Sequence, residues 1–264
     1  MMLLQIVVGV LLAMAVVMLA GWAFGLKTRN GGWTDVFWSF GTGVLLAGAA
    51  FVATGTDTSQ ARRLLIAAFM LAWGLRLGLY LAPRVAGHPE DARYAAFREG
   101  AKNYPLTMLF VSLPQAPATA LLALSVVTAA KRPVPDLDLR DALAVAVYVI
   151  ALAGETISDA QMKRFRADAA NRGKVIQTGL WAWSRHPNYF FQWLGWMAFP
   201  VMALDPSRPV SLLTLAAPAV MYGLLRYVSG VPPLEEAMLK SRGDTFRDYQ
   251  RRVSVFFPIP PKRV

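Results

Sequence analysis

The chain contains no cysteine and only two histidines, His88 and His186. The first absence excludes disulfides, thiolate nucleophiles, thiolate-bound zinc and iron–sulfur clusters. It leaves the compartment open, because a chain without thiols suits any redox state. The second excludes a multi-histidine metal centre. No carboxylate cluster with ligand spacing replaces it, so no metal site is expected. Charge is also scarce: Asp, Glu, Lys and Arg make up 16% of the 264 residues, against about 25% in an ordinary soluble domain. No internal repeat and no low-complexity segment is visible.

What is present is apolar. Hydrophobic residues reach 56% and mean hydropathy is +0.41. Seven runs are long enough to read as membrane spans: 3–26, 36–54, 64–82, 106–130, 142–162, 189–204 and 210–230. They predict an all-α polytopic membrane protein of about seven transmembrane helices. The first run is too long and uninterrupted for a signal peptide. Pro114 and Pro117 are expected to kink the fourth. The sixth is short for a span.

The net charge of +11 is explained by topology and anionic headgroups, so no nucleic-acid partner is expected. With loops assigned alternately to two sides, nineteen Lys and Arg fall on one side. Six fall on the other: Arg62, Arg63, Lys131, Arg132, Arg140 and Arg208. The richer side is expected in the cytoplasm, with the C-terminus, and the N-terminus outside.

Polar chemistry concentrates in the last third. Glu155, Asp159, Lys163 and Arg166 are spaced to share a helix face, two carboxylates followed by two cations. Surface ion pairs would explain them equally well. Lys163-Arg-Phe-Arg166 interleaves an aromatic with cations, which suits a nucleobase and a phosphate. Asn171-Arg-Gly-Lys174 and Thr178-Gly179 follow as polar turns. They are not a Walker or Rossmann loop, since no strand precedes them and the glycine spacing is wrong. Next, Arg185, His186, Asn188 and Tyr189 crowd the lip of an apolar run, with Gln192 one turn further in. Pro187 can set the first turn of that helix. Interfacial anchoring accounts for Trp181, Trp183 and Tyr189. It does not account for His186, Asn188 and Gln192, and polar groups at membrane depth usually serve sites.

These stretches, together with Asp35-Val-Phe-Trp38, Leu75-Arg-Leu-Gly-Leu-Tyr80, Glu90-Asp-Ala-Arg-Tyr94 and Ser229-Gly-Val-Pro-Pro-Leu-Glu235, resemble the steroid 5-alpha-reductase C-terminal superfamily. So do Tyr249 and Phe257-Pro258. The nearest likeness is to its bacterial, largely uncharacterised membrane branch, which implies an inner-membrane location. The resemblance implies one membrane-embedded domain over 1–264, with substrate-side helices in 1–130 and a cofactor half in 131–264. It implies NADPH as cofactor, bound by Asp159, Lys163, Arg166, Trp181, Arg185, His186, Asn188, Tyr189, Gln192, Glu235 and Tyr249. One position departs from the pattern. The family usually has Gly-Glu after Asn-Tyr-Phe, where this chain has Phe191-Gln192.

The implied chemistry is reduction of a conjugated C=C in a lipophilic enone, a 3-oxo-delta-4 steroid or a related isoprenoid or lipid. The carbonyl oxygen gains negative charge, so a hydrogen-bond donor belongs beside it. Tyr80, biased by Arg76 one turn away, is the first candidate, and a protonated Asp35 the second. Interfacial anchoring for Tyr80 and helix N-capping for Asp35 are the plain alternatives. Two other functions stay open: an S-adenosylmethionine-dependent isoprenylcysteine or lipid methyltransferase, and a non-catalytic lipid-binding or transport protein.

Overall fold

The computed structural model describes residues 2–55, 57–90 and 92–262. Asp91 and the side chain of Arg93, both in the Glu90–Tyr94 motif, lie outside the described residues, as does Arg263 of the basic tail. The elements are α1 (Met2–Thr28), α2 (Trp33–Val52), α3 (Gln60–Gly87), α4 (Ala92–Gly100), α5 (Tyr104–Ser112), α6 (Gln115–Ala130), α7 (Leu139–Ala167), α8 (Pro187–Trp196), α9 (Ala198–Ala203), α10 (Ala216–Gly223), α11 (Val231–Arg242) and α12 (Asp244–Arg252). Three 3₁₀ turns (Ala169–Asn171, Gly179–Ala182, Pro209–Leu215) and a π-helical turn (Leu224–Val228) link them. Among the described residues there is no strand, only a bridge between Ser184 and Ser254.

Six segments are long and apolar enough to cross a membrane: Met2–Thr28, Trp33–Val52, Gln60–Gly87, Tyr104–Ala130, Leu139–Ala167 and Pro209–Arg242. The all-α polytopic architecture is as expected, and the count is one short of seven. The missing span is 189–204. It is divided into α8 and α9 at Met197, and neither piece alone reaches membrane length. The expected break in the fourth span falls between Ser112 and Gln115, at Pro114. Proline lacks an N–H and its ring crowds the preceding turn. Pro117 adds no second kink, because it lies in the first turn of α6, where backbone N–H groups have no helical partner.

The chain divides into two compact units. The first comprises Met1–Ala142 and Phe199–Ala217. Within it α2 and α3 pack backbone to backbone at Gly43 and Gly74. A Cβ on Gly43 would lie 2.9 Å from the Gly74 Cα, so only glycine permits this approach. Met14, Leu46, Ile66, Met70 and Leu122 fill the interior. Hydroxyls brace the helices: Thr34 meets Ser112 at 3.1 Å, and the Trp38 indole N–H donates to Thr119 at 3.0 Å. Arg62 is wholly buried. It forks onto Asp141 at 2.6 and 2.8 Å and donates to the carbonyls of Arg132, Val134 and Asp136. The residue that the charge pattern reads as an outer-surface cation is therefore the clasp of the 131–138 loop.

The second unit comprises Leu143–Ala198 and Pro218–Val264. Val175, Phe246, Tyr249 and Val253 form one core, packed against Met238 and Leu239. Phe190, Trp193, Tyr222, Phe256 and Phe257 form an aromatic cluster with ring centroids 5.1–6.2 Å apart. The C-terminal segment runs beside 183–185: Arg185 N–H donates to Ser254 O at 2.8 Å and Ile259 N–H to Trp183 O at 3.2 Å.

Candidate functional site

In the second unit the Arg-His-Pro-Asn loop is anchored from both flanks. Gly179 adopts φ +61°, and a Cβ there would lie 2.5 Å from the Gln161 amide. That contact lets Leu180 N–H donate to Gln161 Oε1 at 3.0 Å. The buried Trp181 donates its indole N–H to Ser158 O on α7 at 3.1 Å. From the other side the Tyr249 hydroxyl donates to Trp181 O at 2.6 Å and to Ser184 O at 3.3 Å. Burial pushes the Tyr249 phenol above its ordinary value, so it stays protonated and serves as a donor.

Arg185 is spent on the protein. Its Nε and Nη2 grip Glu235 at 2.7 and 3.2 Å, and its Nη1 donates to the carbonyls of Gln250 (3.1 Å) and Val253 (2.7 Å). Glu235 also accepts from Gln250 Nε2 at 2.7 Å and meets His186 Nε2 at 3.1 Å. Burial holds His186 below the ordinary histidine value. Arg185 and Arg226 act the same way, and Glu235 opposes them. A neutral imidazole facing this carboxylate must carry its proton on Nε2, which leaves Nδ1 as an acceptor. The ring stacks on Tyr189, with centroids 5.5 Å apart and an 8° interplanar angle.

Helix α8 starts at Pro187, as the sequence suggests. Asn188 then donates Nδ2 to Asp159 Oδ1 at 3.3 Å, tying α8 to α7. Gln192 is buried one turn further on. Beside it the Phe191 ring lies directly on Gly154, with no room for a Cβ between them. The bulky residue at 191 is thus accommodated by a glycine on the facing helix.

The α7 face that carries Asp159 continues through Met162 to Arg166, about 10 Å away at 1.5 Å per residue. There a cleft of about 350 Å³ opens. Met162, Phe165, Ile176 and Met238 supply its apolar lining, and Arg166, Arg172, Lys174 and Arg242 its cations. Its one acid, Asp168, is engaged locally by Ala170 N–H and the Asn171 amide. Lys163 is exposed on the same helix but does not line the cleft. The sequence marks Asn171-Arg-Gly-Lys174 only as a polar turn. Arg242 comes from the end of α11, with no local signal to connect it.

In the first unit, Trp38 and Trp73 meet edge to face with centroids 5.5 Å apart. Asp35 lies one turn before Trp38, and Arg76 and Tyr80 lie one and two turns after Trp73. On antiparallel helices those steps lead toward the same end and keep to the same face. The Arg76 guanidinium sits 5.7 Å from the Tyr80 ring centroid. Asp35 is not an N-cap: α2 starts at Trp33 after Gly32, and Asp35 lies within its first turn. Its carboxylate accepts from the hydroxyl of the buried Tyr94 at 2.9 Å. Nearby, Glu90 binds Gly31 N–H at 2.6 Å, Arg98 at 2.9 Å and the Tyr104 hydroxyl at 3.1 Å. Burial raises the Glu90 carboxyl, but these donors together hold it below its ordinary value. Tyr94 is absent from the sequence-derived candidates; its motif is visible there, its partner is not.

A protein of unknown function family (DUF1295) matches residues 21–253. An uncharacterized protein of Schizosaccharomyces pombe, C594.04c, is 25% identical over 265 residues, covering 90% of this chain and 75% of the relative. No solved structure matches. The family match spans most of the chain, so the protein belongs to the DUF1295 family, which is steroid 5-alpha-reductase-like.

Proposed function

We propose that the protein is an NADPH-dependent membrane reductase that saturates the conjugated C=C of a lipophilic enone, a 3-oxo-delta-4 steroid or a related isoprenoid or lipid. The observation that carries this reading is the α7 face. It runs from the Asp159–Asn188 pair to a cationic cleft with an apolar lining. NADPH, when bound, supplies the hydride to the β-carbon. The chemistry of the cleft lining suits part of such a dinucleotide: Arg166, Arg172, Lys174 and Arg242 would neutralise phosphates, and Phe165 would offer a ring to a base. Asp159 and Asn188 supply an acceptor and an amide for ribose hydroxyls or a carboxamide. His186, held neutral, adds an acceptor without adding charge. Trp181, Arg185, Glu235 and Tyr249 hold this loop in shape through contacts within the protein. The excess of Lys and Arg on one set of loops supports reading the cleft as cytoplasmic, the side where NADPH is available.

The reaction requires a hydrogen-bond donor for the carbonyl, and the residues proposed for it lie in the first unit. As the β-carbon receives hydride, the π electrons move to the carbonyl oxygen, which must be met by a donor. The α-carbon then takes a proton and the carbonyl re-forms. Tyr80 beside Arg76 and Asp35 beside Tyr94 are the pairs we assign to the donor role.

The test is thermal unfolding of the detergent-solubilised protein with NADPH, NADH and S-adenosylmethionine in turn. A ligand at 100 times its Kd stabilises by about 2.7 kcal/mol. We expect NADPH to stabilise most. Stabilisation by S-adenosylmethionine and not by NADPH would replace the reductase with a methyltransferase. No response to either would favour a lipid-binding protein.

A further inference from the structure

We propose a second binding site in the first unit, for the phosphodiester headgroup of an anionic phospholipid. It lies at the end of the helices away from Asp35 and Tyr94 and does not depend on the reductase reading. A cavity of about 170 Å³ opens there between the start of α1, the end of α6, the end of α9 and the Pro209–Leu215 turn. Its wall includes Leu3, Thr128, Lys131, Arg132, Arg208 and Val210. Among the described residues that line it, three are cations and none is acidic.

The three cations are not equivalent. Arg132 is committed to Asp138 and lies 3.5 Å from Asp141. No ion pair or side-chain hydrogen bond to a described residue occupies Lys131 or Arg208, although Arg208 is felt by the exposed Asp205. The Thr128 hydroxyl is buried without a partner. A buried hydroxyl is costly to leave unmatched, and a phosphate oxygen beside it would satisfy it. Lys131 and Arg208 would then meet the negative charge of that phosphate.

A lipid is favoured over a free phosphate by what leads away from the cavity. Next to Leu3, the residues Leu4, Val8, Leu12, Val16 and Leu19 are 68%, 41%, 62%, 66% and 43% exposed. They recur at helical spacing along one face of α1, which spans the membrane by length and composition. An acyl chain can follow that stripe while its headgroup sits in the cavity.

The test uses the full-length protein in detergent, titrated with phosphatidylglycerol, phosphatidylcholine or inorganic phosphate, with bound lipid read by native mass spectrometry and stability by thermal unfolding. Phosphatidylglycerol should bind at least about 10-fold better than phosphatidylcholine. Each cation should contribute about fivefold, so Lys131→Ala with Arg208→Ala should weaken it about 25-fold. The charge-conserving pair Lys131→Arg and Arg208→Lys should retain most of the preference, and it carries the test if the alanine pair does not fold. Equal binding of the two lipids would overturn the proposal, as would an unchanged alanine pair. A charge-conserving pair as impaired as the alanine pair would do the same. Stabilisation by inorganic phosphate equal to that by phosphatidylglycerol would show a free-anion site and overturn the lipid assignment.

Discussion

The hydroxyl of Tyr94 donates to Asp35 Oδ1 at 2.9 Å, joining α4 to the first turn of α2. Tyr94 is buried. The bond therefore fixes where the Asp35 carboxylate points. Tyr94→Phe removes the hydroxyl and leaves the ring. If Asp35 serves the carbonyl, kcat for enone reduction should fall about 10-fold or more with KM for NADPH unchanged. Asp35→Asn should give a larger loss. Tyr80→Phe separates the candidates: full activity in that variant would remove Tyr80 from the donor role and leave Asp35.

A second prediction separates framework from ligand contacts in the later helices. Arg185 and Glu235 are only 11% and 13% exposed and grip each other at 2.7 Å. Removing one partner strands the other charge, so Arg185→Ala should cost about 3 kcal/mol of stability. Arg172 lines an open cleft and is exposed there. Arg172→Ala should leave the melting temperature of the ligand-free protein unchanged. It should weaken NADPH about 10-fold or more, the value of a charge-assisted hydrogen bond. An Arg172→Ala protein as unstable as Arg185→Ala would move Arg172 into the framework.

The contrast between Arg185 and Arg172 also shows what was legible in the sequence. Proline acts on its own turn, so the break at Pro114 and the start of α8 at Pro187 can be read locally. The interruption at Met197 is local as well: Pro200, in the first turn of α9, has no N–H for the Trp196 carbonyl and its ring crowds that turn, although the apolar run 189–204 continues straight through it. The polar cluster of the Arg-His-Pro-Asn loop is visible, but its sorting is not. Arg185 becomes internal because Glu235 arrives from 50 residues away. Arg62 reads as a topogenic surface charge and is buried because three loop carbonyls and Asp141 converge on it. Arg242 joins the cleft from another helix altogether. In each case the chemistry belongs to the residue, and its role belongs to a partner distant in sequence.

Gly179 carries a third prediction. Its φ of +61° is disfavoured for any residue with a Cβ, and that Cβ would also meet the Gln161 amide. Gly179→Ala should therefore lose about 1–2 kcal/mol from the backbone alone. That corresponds to a melting temperature lower by about 2–8 °C at this chain length. Displacing Gln161 also frees the Leu180 N–H and loosens the turn bearing Trp181. NADPH affinity should fall with stability in this variant. In Gln161→Ala, which keeps Gly179 and loses only the hydrogen bond from Leu180 N–H, stability should fall by about 1 kcal/mol. If Gly179→Ala is as stable as the parent, the turn does not depend on the left-handed residue.

His186 makes the fold sensitive to mild acid. Its folded-state value lies below the ordinary one, with burial as the main cause, so folding favours the neutral ring. Between the folded value and an unfolded value of about 6.5, the unfolded chain binds more protons at this position than the native one. Stability then rises with pH across that window. The contribution is fully present above pH 6.5 and is lost as pH falls toward the folded value. A cation formed at His186 would also sit beside Arg185, and its gain from Glu235 does not outweigh burial. Unfolding measured between pH 5 and 7.5 should show the protein weakening toward the acid end. His186→Gln keeps a donor toward Glu235 and cannot ionise, so it should flatten that slope. An unchanged slope in His186→Gln would assign the acid sensitivity to other groups and leave His186 free to charge in the native state.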